Sequence, residues 1–198
     1  MTKRAVDLFL SLCGLIVLTP LSAAIAIAIK LDSRGPILFK QERVGLDGQP
    51  FEILKFRSMV KDATRLAPNV SSTDDPRVTG VGAFLRRWFL DELPQLINVL
   101  KGDMSIVGPR PETPEYVALY SPEERKVLSV KPGIVGPSTL AFVNEPEILA
   151  GCEDPHSYYI DTLMHQRVKL DLEYLEHQSL RYDLQLLGKQ LQKIVAKD

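Results

Sequence analysis

The stretch LFLSLCGLIVLTPLSAAIAIAI, residues 8–29, holds 22 residues without a charge and has Pro20 near its middle. At about 1.5 Å per residue, a helix of this length can cross a hydrocarbon core of about 30 Å. A proline inside a helix removes one backbone hydrogen bond and clashes with the preceding turn, and the Thr19 hydroxyl can satisfy a carbonyl freed in this way. The stretch therefore predicts a membrane helix that breaks at Pro20 and returns, a re-entrant hairpin.

Basic residues flank this run on both sides: Lys3 and Arg4 precede it, and Lys30, Arg34 and Lys40 follow it. Positive residues beside a membrane segment tend to stay cytoplasmic, so both ends are expected on the cytoplasmic face of the inner (plasma) membrane. Two alternatives stay open. One is a secretory signal peptide, whose apolar core is usually shorter. The other is a straight span that places the rest of the chain across the membrane.

The sequence divides into a re-entrant membrane helix at residues 1–34 and one cytoplasmic domain at residues 35–198. A formal net charge of -1 argues against general nucleic-acid binding. The two cysteines, Cys13 and Cys152, lie far apart, so neither a disulfide framework nor a zinc site is indicated. The three histidines lack metal-ligand spacing.

Two short apolar runs around a turn-rich segment predict a β-hairpin over residues 36–59. Residues 61–78 are polar and rich in turn formers, so a mobile loop is expected there. Helical structure is expected from about Gln166, with a stripe that is mostly core. The residues of that stripe are Leu180, Leu184, Leu187, Leu191 and Ile194.

Helical spacing also predicts an amphipathic helix with a basic edge at Arg86 and Arg87. Its stripe consists of Val81, Phe84, Leu85, Trp88 and Phe89. This face either lies in the lipid headgroup region or packs on the core, and the pattern does not separate the two. The expected fold class is α+β and mostly helical: the membrane hairpin plus one compact domain with a small β-hairpin and amphipathic interfacial helices.

Asp91 and Glu92 are neighbours at the start of a second predicted helix, which Gly102 ends. Pro94 fits the first turn of that helix. Neighbours on a helix point about 100° apart, so this pair does not flank one bond as the carboxyls of a glycosidase do. At a helix N-terminus Asp91 is favoured as the anion, available as a nucleophile or a magnesium ligand. It could also be a simple N-cap.

The segment Gly108-Pro109-Arg110-Pro111 carries an arginine between two prolines that restrict the backbone. Arginine matches phosphate oxygens two at a time. A positive site beside an acidic nucleophile suits phosphoryl transfer, although each cation could instead belong to a solvated face. The other cations proposed for this site are Lys55, Arg57, Arg86 and Arg87.

Several motifs surround these residues: FEILKFRSM at 51–59, LDELPQLINVLKGDMS at 90–105, VGPRP at 107–111 and KPGI at 131–134. The chain resembles the bacterial sugar transferase family, the small monotopic phosphoglycosyl transferases, nearly end to end. The resemblance implies a re-entrant helix broken at Thr19-Pro20 and a cytoplasmic catalytic domain. The implied reaction moves a sugar-1-phosphate from a nucleoside diphosphate sugar, usually a UDP-sugar, to polyprenyl (undecaprenyl) phosphate. It yields polyprenyl-diphosphate-sugar and UMP, the first membrane step of glycoconjugate assembly.

The same resemblance implies roles for individual residues. Asp91 matches the nucleophile, which forms an aspartyl-phosphosugar intermediate and binds Mg²⁺, and Glu92 matches the acid/base. The implied partners are a UDP-sugar, polyprenyl phosphate and membrane lipid, without nucleic acid, and a homodimer stays open. The implied substrate- and phosphate-binding residues are Lys55, Arg86, Arg110 and Asp171.

The sequence departs from the family pattern over residues 135–146, where many members carry a Gln-Val-Asn/Ser-Gly-Arg type run and this chain has no arginine. The departure puts donor recognition in doubt more than chemistry. Two other functions remain as alternatives. One is a membrane-anchored magnesium-dependent phosphohydrolase with water as acceptor. The other is a non-catalytic peripheral membrane module.

Overall fold

The computed structural model describes residues 2–61, 63, 72 and 75–196. The apolar run lies in helix α1 (Thr2–Asp32), which continues through Pro20 as one element of 31 residues and is not divided into two helices. The Thr19 hydroxyl donates to the Leu15 carbonyl at 2.6 Å. The carbonyl that loses its helical donor at Pro20 is that of Ile16. The Thr19 hydroxyl therefore bonds the carbonyl next to the one that Pro20 leaves without a donor.

Both ends of α1 are attached to the rest of the chain. At its start, the Lys3 ammonium lies 2.6 Å from the Asp183 carboxylate, and the buried Asp7 carboxylate accepts from the Ser105 hydroxyl at 2.9 Å. At its end, the Arg57 guanidinium donates to the Ser33 carbonyl at 2.7 Å. These contacts hold the first and last turns of α1 against one domain.

Between these attachments, α1 exposes a large apolar surface. The helix is long and apolar enough to cross a membrane by length and composition. Exposed apolar side chains occur on both sides of Pro20, so the surface is not confined to one half of the helix. They are Leu8, Phe9, Leu10, Leu12, Ile16, Val17, Leu21, Ile27 and Leu31. This surface supports association of α1 with a membrane.

The predicted β-hairpin is confirmed by strands β1 (Leu38–Val44) and β2 (Pro50–Phe56), which pair antiparallel with Leu38 opposite Phe56. A short 3₁₀ turn, Leu46–Gly48, joins them, with Asp47 in the left-handed region at φ 53°. The predicted mobile loop at residues 61–78 falls largely outside the described residues.

The predicted amphipathic helix is α2 (Gly80–Arg87), and its stripe splits between the core and the surface. Leu85 is buried against Phe56 and the end of α1, whereas the Phe84 side chain is 56% exposed. The second predicted helix begins later than expected. Asp91 lies in a 3₁₀ turn, Leu90–Glu92, and helix α3 (Gln95–Lys101) follows Pro94.

Gly102 ends α3 as predicted, with φ at 99°. A second sheet, which the sequence analysis did not predict, follows: β3 (Ser105–Val107) pairs parallel with β4 (Gly133–Val135). The pairing continues past the end of β3, because the Gly108 amide donates to the Val135 carbonyl at 2.9 Å. The Gly133 amide likewise donates to the Pro109 carbonyl at 2.7 Å.

The remaining elements are helical and close the domain. A 3₁₀ segment spans Glu124–Ser129, and a π-helical turn, Tyr159–Leu163, leads into α8. The predicted C-terminal stripe is largely exposed at Leu180, Leu184 and Leu191, and Leu186 is the buried leucine of that helix. The helices are α4 (Pro114–Val117), α5 (Pro137–Ala141), α6 (Glu145–Ala150), α7 (Pro155–Tyr158), α8 (Met164–Glu176) and α9 (Leu180–Val195).

The close approach of the two chain segments at Gly133 predicts a strict need for glycine there. A Cβ on Gly133 would lie 2.1 Å from the Gly108 backbone nitrogen, an atom that cannot give way as a flexible side chain can. Gly133→Ala is expected to lower the free energy of unfolding by on the order of 3 kcal/mol, measured by denaturant titration in detergent. Gly188→Ala is the control, because its Cβ meets no atom within 4 Å. Equal stability of the two variants would contradict this reading.

Candidate functional site

Asp91 reaches its position through an unusual backbone conformation. Phe89, the residue before the 3₁₀ turn, has φ at 56° in the left-handed region. A bulky residue rarely adopts this conformation, and such strain tends to occur at functional sites. The turn buries Asp91, which is 8% exposed, beside the end of β2 and the end of α2.

The Glu92 carboxylate is the point at which three chain segments meet. The Lys55 ammonium, from β2, donates to Glu92 Oε1 at 2.7 Å. A guanidinium nitrogen of Arg110, from the loop after β3, lies 3.8 Å from the same oxygen. The structure therefore brings together Lys55, Glu92 and Arg110, three of the predicted site residues, from positions far apart in the sequence.

Burial and charge affect the two neighbouring carboxyls in opposite ways. Burial raises the pKa of Asp91, and Lys55 and Arg86 only partly offset it while Glu92 adds to it. Burial also acts to raise the pKa of Glu92, but Lys55, Arg110 and a hydrogen bond from Gln95 outweigh it and hold that pKa below its usual value. Asp91 is thus the carboxylate whose anion is poorly compensated, and a nearby cation would favour its ionised form.

The remaining predicted cations do not all belong to this site. Arg86 does: its guanidinium donates to the Ser58 hydroxyl at 2.9 Å, and the Asp91 charge counteracts the lowering of its pKa by burial. Arg57 does not, because its guanidinium turns toward the end of α1. Arg87 lies over the Trp88 ring at 5.8 Å. The expectation for Arg57 was wrong because its partners come from a distant helix.

Asp171 lies behind the Arg110 loop and holds it from the inside. Its carboxylate accepts from the Arg110 backbone amide at 3.0 Å and from the Ser138 hydroxyl at 2.8 Å. Asp171 is 3% exposed. Ser138 belongs to the segment that departs from the family pattern, so part of that segment supports the loop. The position gives Asp171 a role in placing Arg110, and its predicted role in binding substrate stays a prediction.

The buried position of Asp171 predicts a pH-dependent stability. Burial raises its pKa to about 6, although hydrogen bonds from Arg110 and Ser138 oppose the shift. The unfolded value is about 3.9, so this group's contribution is fully present below about pH 4 and is lost as pH rises through about 6. The change is on the order of 3 kcal/mol.

This contribution is measured as the difference in the free energy of unfolding between the wild type and Asp171→Asn from pH 4.5 to 8. The wild type is expected to gain stability relative to the variant on acidification below about pH 6, with half of the change reached near pH 5. A difference that stays constant with pH would contradict the assignment.

A magnesium ion would find few protein ligands here. No group of three or more His, Cys, Asp or Glu side chains that could hold a metal occurs among the described residues. Mg²⁺ in phosphoryl-transfer sites is often held by one or two carboxylates, with waters and substrate phosphates completing the shell. Asp91 fits such a site when substrate phosphate supplies further oxygens.

Sequence reasoning missed the residues that support the site. Ser58, Gln95 and Ser138 each contact a predicted site residue. Short polar residues of this kind carry no periodicity, and their partners are distant in sequence. The glycine in the KPGI motif was the available signal for the β3–β4 pair, since an isolated glycine often marks a close backbone approach.

Comparison with known proteins finds a matching family and several relatives. The family model described as bacterial sugar transferase matches residues 1–197. A UDP-glucose:undecaprenyl-phosphate glucose-1-phosphate transferase of Escherichia coli (strain K12) is 39% identical over 193 residues, which cover 93% of this chain and 38% of that protein. A protein of the same name from Caulobacter vibrioides is 39% identical over 201 residues, 99% of this chain and 70% of that protein.

A third relative, from Bacillus subtilis (strain 168), has a different sugar in its name. It is a putative undecaprenyl-phosphate N-acetylgalactosaminyl 1-phosphate transferase, 48% identical over 121 residues, 61% of this chain and 68% of that protein. The chain spans about two-fifths of the length of the Escherichia coli relative. With a family model that matches almost its whole length, this chain belongs to the bacterial sugar transferase family.

Proposed function

We propose that this protein transfers a sugar-1-phosphate from a UDP-sugar to undecaprenyl phosphate, yielding undecaprenyl-diphosphate-sugar and UMP. The observation that carries the proposal is the meeting of Lys55 and Arg110 at Glu92, beside the buried Asp91. Cations next to a poorly compensated carboxylate can receive a diphosphate and leave one nucleophile facing it. The names of the relatives supply the substrate class.

In the first step, an Asp91 carboxylate oxygen attacks the sugar-bearing phosphorus. A new phosphorus–oxygen bond forms, the bond to the bridging oxygen breaks, and UMP leaves with that bonding pair. Arg110, Lys55 and Arg86 balance the charge on the phosphoryl oxygens. Mg²⁺, held by Asp91 and the donor phosphates, would offset the diphosphate charge and help UMP depart.

In the second step, a phosphate oxygen of the polyprenyl acceptor attacks the same phosphorus and displaces the Asp91 carboxylate. Glu92 takes the proton when the acceptor phosphate carries one. Lys55 and Arg110 hold the pKa of Glu92 low while the site is free of substrate. Phosphate oxygens that draw Lys55 and Arg110 away would raise this pKa and make Glu92 a better base.

We further propose that α1 enters and leaves the bilayer on the cytoplasmic side. Contacts at its first and last turns attach both ends to one domain. A straight span would separate those ends by a hydrocarbon core of about 30 Å and break one set of contacts. A re-entrant hairpin, in which α1 stays one helical element but bends at Pro20, keeps both sets and leaves the apolar middle in lipid.

This topology predicts that a cysteine near the start of α1 and a cysteine in the domain are equally protected from a thiol reagent outside the cell. In a variant without Cys13 and Cys152, single cysteines at Thr2 and at the exposed Lys126 should resist an impermeant maleimide added to intact spheroplasts. Both should react after permeabilisation, which is the control for accessibility. Labelling of either position in intact spheroplasts would contradict the hairpin.

The function is tested with purified protein, undecaprenyl phosphate, Mg²⁺ and a panel of UDP-sugars. UDP-glucose and UDP-N-acetylgalactosamine come first because relatives bear those sugars in their names. Formation of lipid-linked product together with UMP supports the proposal. Release of free sugar phosphate at the same rate without the lipid would instead indicate a phosphohydrolase.

A further inference from the structure

Another buried carboxylate near Arg110, that of Glu112, has no part in the steps above. It is 8% exposed. The Tyr159 hydroxyl donates to Glu112 Oε1 at 2.6 Å, and an Arg43 guanidinium nitrogen donates to Oε2 at 3.2 Å. Each oxygen of this carboxylate therefore has its own donor.

Glu112 is placed to compete for Arg110. The two residues are separated by Pro111, and both line the same small cavity of the domain. Burial acts to lower the pKa of Arg110, but the negative charges of Glu92 and Glu112 outweigh it and raise that pKa. The contact to Glu92 is 3.8 Å long, too long for a strong hydrogen bond, so Glu92 does not lock the guanidinium.

The two donors to Glu112 come from elements that the rest of the fold holds in place. Tyr159 begins the π-helical turn before α8, and such turns often occur at functional sites. Arg43 also donates to the Pro111 carbonyl at 3.1 Å, which fixes its guanidinium beside the loop.

A buried carboxylate that loses such a donor is left with a costly unsatisfied oxygen. Two further cations, Arg167 and Arg110, act on Glu112. Arg167 is paired with Glu145, so Arg110 is the less firmly held of the two.

We propose that Tyr159 and Arg43 are positioning residues that occupy the Glu112 carboxylate and so leave the Arg110 guanidinium available to the anionic diphosphate of the donor. The inference rests on the proposed function. The inference adds an account of the charges around Arg110. Of the two carboxylates that attract it, Glu92 takes part in the chemistry and Glu112 is kept occupied by its own donors.

Tyr159→Phe removes one hydroxyl and keeps the ring. We expect kcat/KM for the UDP-sugar to fall on the order of tenfold, as when one hydrogen bond to a charged group is lost, while KM for undecaprenyl phosphate stays the same. Tyr116→Phe is the matched control: its ring lies 4.9 Å from that of Tyr159, and its buried hydroxyl has no hydrogen-bond partner among the described residues. It should behave as the wild type.

Glu112→Gln separates capture of Arg110 from a merely structural effect. Glutamine can still accept a hydrogen bond but carries no charge to attract Arg110. In a protein that already carries Glu112→Gln, adding Tyr159→Phe should therefore lower kcat/KM for the UDP-sugar by less than about threefold, compared with tenfold in the wild-type background. A defect of the same size in both backgrounds, or none in Tyr159→Phe alone, would overturn the proposal.

Arg43→Gln frees the other carboxylate oxygen and should give the same defect, specific to the donor, so the test does not depend on the folding of Glu112→Gln. A defect shared equally between donor and acceptor constants would count against the proposal. The wild type is assayed first for UMP release. Absence of UMP with every donor would contradict the proposed function. Normal turnover by the wild type, with the same kcat/KM for the UDP-sugar in Tyr159→Phe and Arg43→Gln, would contradict only this inference.

Discussion

Asp91→Asn is expected to abolish both half-reactions, with a loss in rate of about ten-thousandfold or more, as for removal of other covalent nucleophiles. The amide keeps the size of the side chain but is a poor nucleophile and carries no charge to hold a cation. In the wild type, donor and Mg²⁺ without acceptor should release one UMP per protein and add the mass of a sugar phosphate. The variant should do neither.

The matched control is Asp47→Asn, the same change in the turn of the β-hairpin, where asparagine tolerates the left-handed φ of 53°. It should form the adduct as the wild type does. A wild type that turns over normally with acceptor yet forms no adduct and no stoichiometric UMP would exclude the covalent route. Asp91 would then remain only a candidate metal ligand.

Glu92→Gln is expected to stop the reaction between its two halves. The glutamine carbonyl can still accept from Lys55, so the site keeps its shape, but the side chain cannot take a proton. We expect a normal burst of UMP and an adduct that persists when undecaprenyl phosphate is added. Steady-state turnover should fall about 10²- to 10⁴-fold, the usual contribution of general acid–base catalysis.

The comparison with Asp91→Asn makes this second result specific, because the two neighbouring variants differ only in which carboxyl becomes an amide. Loss of the burst in Glu92→Gln would place Glu92 in the first step. Undiminished turnover would remove it from the chemistry. Either result is read directly from intact mass and UMP release in one sample.

Local signals in the sequence predicted the elements that depend on local physics. Turn residues between two short apolar runs predicted the β-hairpin, and Gly102 marked the end of α3 because a positive φ suits glycine. The start of that helix was misplaced at Asp91. Pro94 is compatible with a first turn, but the chain inserts a 3₁₀ turn before it.

Pairings between distant residues were not predictable in this way. Strands β3 and β4 have three residues each, too few to show a period, and lie far apart in sequence. The site itself was half predicted: Lys55, Glu92 and Arg110 do meet. Arg57 has the same charge as Lys55 and lies two residues after it, yet it donates to the carbonyls of Ile29 and Ser33 at the end of α1. Nothing in the local sequence distinguishes Arg57 from Lys55 in this respect.

The attachment of α1 at both ends has a consequence for the stability of the native state. Asp183 and Ser105 in the domain are buried partners of the first turns of the helix, and Arg57 is a buried partner of its end. Removing the helix would take away the hydrogen bonds that these groups make with it, each worth about 1.5–3 kcal/mol where one partner is charged. We therefore expect a chain without α1 to be less stable than the full chain, so the helix contributes to the fold of the domain as well as to its attachment.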